Sequence, residues 1–88
     1  MDIIGKIYEF TPIESGTSQN GDWSRCQVII ITLEQNPAYV AFTVIGRRID
    51  KVNQFVLGDV VRIKFRMSSR KVNDRWFNDN QLWEIMKV

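Results

Sequence analysis

The sequence contains no histidine, one cysteine, two prolines and no apolar run of membrane-spanning length among its 88 residues. Without histidine, the commonest general base near neutral pH and the commonest metal ligand are both missing. The lone Cys26 forms no internal disulfide and belongs to no Cys-x-x-Cys pattern, which fits a reducing compartment. Asp74 and Asp79 stand among basic and amide residues, where carboxylates serve as turn formers or salt-bridge partners. The expectation is therefore a protein that is not an enzyme and holds no metal or cofactor. The N-terminal stretch MDIIGKIYEF has an acid at its second position and no long apolar segment. Neither a signal peptide nor a membrane span is expected there, and cytoplasmic residence is the simplest reading.

The charge excess is also small: 12 Lys and Arg against 10 Asp and Glu give +2. Its distribution is uneven. The acids are spread through the first two-thirds of the chain, whereas Arg62 to Arg75 holds six basic residues and only Asp74. A chain of this length forms one domain, residues 1–88, around one core, and 44% apolar residues suffice to build it.

Periodicity points to strands. Residues 3–12 are β-branched and aromatic, with Gly5 marking a bend. The turn-rich segment Glu14 to Asp22 reads as a loop. In WSRCQVIIITL, Cys26, Val28, Ile30 and Thr32 alternate inward, leaving Trp23, Arg25, Gln27, Ile29 and Ile31 outward. In YVAFTVIG, Val40, Phe42 and Val44 face inward. RRIDKVNQF alone has helical spacing. In VVRIKFRM, Val61, Ile63, Phe65 and Met67 oppose Arg62, Lys64 and Arg66. The segment SSRKVND reads as a second long turn, and Trp76 to Val88 returns as the last strand, with a bulge near Gln81 to Trp83. Trp83 itself is expected in the core.

Three strands, a short helix and two strands, with long loops after the first and fourth strands, is the order of an all-β, five-stranded OB-fold barrel with one short helix between strands 3 and 4. An SH3-like barrel is the rival, and it lacks the helical insertion. The stretches GDWSR (21–25), AFTVIG (41–46), LGDVVRI (57–63) and SRKVNDRWFND (69–79) resemble a family of small uncharacterised proteins common in Bacteroides-type bacteria and their phages. Members of that family look like single-domain OB proteins of the single-strand DNA-binding type. The resemblance covers nearly the whole chain. The chain departs from it at Cys26 and Gln27, where the family carries Gln and Glu, and at Ile31, where Glu is usual. These changes add apolar surface to the second strand.

A single strand of nucleic acid asks for cations along its phosphates and aromatic faces for its bases. The residues that answer this are Trp23, Arg25, Tyr39, Arg62, Lys64, Arg66, Arg70, Lys71, Arg75, Trp76 and Phe77. In an OB barrel the two long loops flank one face, so these residues are expected to converge on a common groove. The expected partner is single-stranded DNA, read with low sequence specificity. RNA stays open, since nothing in the sequence reads a 2′-hydroxyl. The resemblance implies a role in DNA replication or recombination. Outward Ile29 and Ile31 also open the alternative of a protein-interaction or assembly module, and of a homodimer through that face.

Overall fold

The computed structural model describes all 88 residues. Its strands are β1 (Asp2–Phe10), β2 (Glu14–Ser18), β3 (Gly21–Thr32), β4 (Tyr39–Ile45), β5 (Val60–Val72) and β6 (Arg75–Lys87). The one helix, α1 (Arg48–Val52), lies between β4 and β5. The sheet runs β1-β5-β6-β4-β3-β2, and β1 also pairs with β3. Five strands therefore close into the OB barrel, and β2 is an added flap on β3.

Alternation in the sequence builds the core directly. Val28, Ile30, Phe42, Val44, Val61 and Ile63 point inward and are wholly buried. Phe42 meets Phe65 edge to face, with centroids 5.0 Å apart. Closure depends on two details. β1 pairs with β5 through residues 2–6 and with β3 through residues 5–10, so it changes partners around Gly5. β4 and β6 meet through one parallel pair, Thr43 beside Gln81. Two side chains reinforce that seam: Thr43 Oγ1 donates to Asp79 Oδ1 at 2.7 Å, and Asn80 Nδ2 donates to the Ala41 carbonyl at 3.3 Å. Helix α1 turns Ile49 and Val52 into the core.

Four sequence expectations are corrected. Glu14 to Ser18 is a strand, paired with residues 21–25 of β3 across a tight turn. Ser68 to Val72 continues β5, and the turn shrinks to Asn73 and Asp74, both with positive φ (51° and 64°). Met67 is exposed because β5 and β6 outrun the barrel there. Trp83 is also exposed. The expected bulge in β6 falls opposite Lys64 and Phe65, where Leu82 takes the inward position and Trp83 is turned out.

Candidate nucleic-acid interface

The two long hairpins frame the outer face of β3 and β4. On one side stands the β2–β3 flap; on the other, the β5–β6 arm extends beyond the core. Pairing of Arg70 with Phe77 and Ser68 with Asp79 puts these four on one face of the arm. That face looks across at Arg25, Gln27, Thr43 and Ile45, the outward residues of β3 and β4. Between them lies an open cleft of about 710 Å³. Its walls offer two guanidinium groups, the Phe77 ring (47% exposed), the apolar side chain of Ile45, and the amide and carboxylate of Gln27 and Asp79.

Of the eleven residues singled out by sequence, Arg25, Arg70 and Phe77 line this cleft. Arg75, near the arm's tip, shares the cleft-facing side by alternation. Trp23 follows Arg25 along the flap, 40% exposed, with the Arg25 guanidinium 5.5 Å from its ring. The ring lies against Gly16, where an added Cβ would come within 2.7 Å of it. Trp76 (69% exposed) and Lys71 occupy the opposite face of the arm, paired with each other. Arg66, paired with Gln81, stands at the arm's root.

The expected common groove is corrected for five residues: Lys71 and Trp76, on the far face of the arm, and Arg62, Lys64 and Tyr39. In the ring of five strands β5 touches neither β3 nor β4, so the outer face that carries Arg62 and Lys64 looks away from the cleft. Arg62 borders a separate depression with Asp2 and Glu34, and Lys64 pairs with Glu84 at 3.8 Å. Tyr39 is at the other end of β4, edge-on to Tyr8 at 4.9 Å. With the outward Ile29 and Ile31 these two rings make an apolar patch. The cleft residues Gln27, Thr43, Ile45 and Asp79 were not singled out from sequence. Outward alternation of the second and third predicted strands marks the first three, and only the β4–β6 seam brings Asp79 to them.

Electrostatically the cleft is mixed. Arg25 is held by Glu14, with Nη2 to Oε2 at 3.2 Å, both side chains more than half exposed. Such a pair contributes little and exchanges readily for another anion. Arg70 and Arg75 have no carboxylate within ion-pair distance. Cys26 borders the cleft as well, and burial pushes its thiol up from the ordinary value.

A closed five-strand barrel with a helix after its third strand, and two hairpins walling one outer face, defines a small OB-fold domain of the architecture used by single-stranded-DNA-binding proteins. The chain belongs to the family described as a domain of unknown function, DUF3127, whose model matches residues 2–86. No curated protein matches it. Among solved structures it is similar to the mitochondrial single-stranded DNA binding protein from S. cerevisiae. That match has 17% identity and a TM-score of 0.77, and covers 100% of this chain and 92% of the other. It is also similar to a small single-stranded DNA-binding protein from Streptomyces coelicolor, with 17% identity, a TM-score of 0.54 and coverage of 100% and 90%. At such identities the likeness establishes the fold.

Proposed function

We propose that the protein binds single-stranded DNA with little sequence preference, by seating the strand in the cleft between the β5–β6 arm and the outer face of β3 and β4. The observation that carries this reading is the convergence of Arg25, Arg70 and Phe77, from separate elements, on one open trough beside Ile45. Arginines there meet phosphates, Phe77 stacks a base, and the polar side chains tolerate any base edge. Trp23 and Arg75 extend the track at its two margins. The likeness to two single-stranded-DNA-binding proteins supports the partner class, and protection of exposed strands during replication or recombination is the role that fits it.

The test is anisotropy of a labelled oligothymidine at low salt. Phe77→Ala is expected to weaken binding about tenfold, within the range for losing one stacked base, and Arg70→Ala to weaken it as well. Wild-type affinity in both variants overturns the cleft as the site. A matched RNA oligomer in the same assay decides between the two nucleic acids.

A second copy of the chain is the occupant proposed for the patch of Tyr8, Tyr39, Ile29 and Ile31, whose exposed rings and half-buried isoleucines suit a self-complementary contact. Light scattering is expected to give twice the 10.3 kDa chain mass. A mass of one chain at micromolar concentration rejects the dimer.

A further inference from the structure

The bulge in β6 leaves a tryptophan outside the barrel. Trp83 is 52% exposed although Leu82 and Ile85, on either side of it, are buried. Burying an indole contributes far more than leaving it in water, so core packing does not account for a tryptophan here. Arg48, from the start of α1, holds the ring from one side. Its guanidinium is 4.1 Å from the ring centroid, and its Nε donates to the Trp83 carbonyl at 3.1 Å. That hydrogen bond serves the carbonyl of the residue the bulge takes out of the ladder. Neither Arg48 nor its neighbour Arg47 has a carboxylate within ion-pair distance. Two cations at a helix start oppose the helix dipole, so helix stability does not explain them either.

The place of this pair in the fold gives it a use. β4 and β6 run parallel with Thr43 beside Gln81. Two residues further along each strand stand Ile45, which lines the cleft, and Trp83. A strand emerging from the Ile45 end of the cleft meets the Trp83–Arg48 stack next, with Arg47 beside it. Phe77 and Trp83 are six residues apart on β6, roughly 20 Å at the rise of a β-strand.

We infer that Trp83 and Arg48 form a second stacking site for single-stranded nucleic acid, outside the cleft. A base stacks on the open side of the indole–guanidinium pair, and the unpaired charges of Arg47 and Arg48 take the flanking phosphates. The inference rests on the cleft being a single-strand site, because it assigns Trp83 to nucleotides that the cleft does not reach.

The test uses a Trp23→Phe/Trp76→Phe protein, in which Trp83 is the one indole left, together with labelled oligothymidines of about 4 and about 16 nucleotides, the span of OB-fold site sizes. The longer strand is expected to quench Trp83 emission at saturation, and the shorter one to leave it unchanged. In the otherwise unaltered chain, Trp83→Leu and Arg48→Met are each expected to weaken binding of the longer strand about tenfold and to leave the shorter one's affinity as it was. Arg48→Met keeps the apolar stem over the ring. If Trp83→Leu fails to fold, that variant and the emission of Trp83 decide.

If the longer strand binds with Trp83 emission unchanged and Arg48→Met at wild-type affinity, the second site is overturned, while the cleft stands provided Arg70→Ala still weakens binding. If neither oligomer binds the unaltered chain, both readings fall.

Discussion

Gly5 stands where β1 passes from β5 to β3, and β3 crowds it. A Cβ there would lie 2.6 Å from the Ile31 carbonyl oxygen and 2.7 Å from Ile30 Cδ1. One of those atoms is backbone in a paired strand, so it cannot swing aside. Gly5→Ala is therefore expected to destabilise by about 1–3 kcal/mol through overpacking, read as a lower melting temperature. An unchanged melt would show that β1 tolerates a wider bend. Cys26 poses a gentler question at the same scale. Its side chain is buried and its thiol is pushed up by burial, so iodoacetamide at neutral pH should react slowly with the folded protein and quickly once denaturant opens it. Single residues were legible in the sequence where neighbours in the strand settled their side: the inward set of β3 and β4 follows from alternation alone. Trp83 was not, because Leu82 and Trp83 are adjacent apolar residues competing for one inward position. Only the pairing with β5 decides that the smaller one fits.

The β5–β6 hairpin raises the corresponding question for an element. Its outer half, Ser68 to Val72 against Arg75 to Asp79, has no core to cover, so polar and apolar residues mix on both faces: Val72 and Phe77 beside Arg70 and Arg75 on one, Trp76 beside Lys71 on the other. The apolar–polar alternation that reveals a strand is then absent, which is why the segment reads as a long turn in the sequence. Backbone pairing and the two-residue turn hold it instead. Asn73 and Asp74 both adopt positive φ, the pattern of a type I′ turn, for which Asn-Gly is the preferred pair. Asp74→Gly is accordingly expected to stabilise the arm, by up to about 1 kcal/mol. The exposed Lys71–Asp74 contact at 4.0 Å offers little to lose. A melting temperature a few degrees higher, with stronger amide protection along the arm, is the expected outcome. A fall in both would show that the ion pair matters more than the turn. The same hairpin was half-legible as function: its cations and aromatics were evident, but which of them face the cleft depends on register, and register separates Phe77 from Trp76.

At the scale of the whole molecule, the net charge of +2 says little, because what matters is where uncompensated cations sit. Lys64, Lys71 and Lys87 each have a carboxylate within 4.0 Å, and Arg25 has Glu14. Arg70 and Arg75 face the cleft without one, whereas Arg62 is turned to the far side of the barrel, beside Asp2 and Glu34. If the strand lies in the cleft, roughly two to four phosphate contacts form, and the logarithm of affinity should fall against that of salt with a slope of about −1.5 to −3, at about 0.7 per contact for single strands. Arg70→Ala should flatten that slope by about 0.7, and Arg62→Ala should leave it as it is, although both remove one positive charge from a strand of the same barrel. A general attraction between a slightly basic protein and a polyanion would instead respond equally to either loss. Equal slopes for Arg70→Ala and Arg62→Ala would therefore remove the cleft as the path of the phosphates, whatever the absolute affinity.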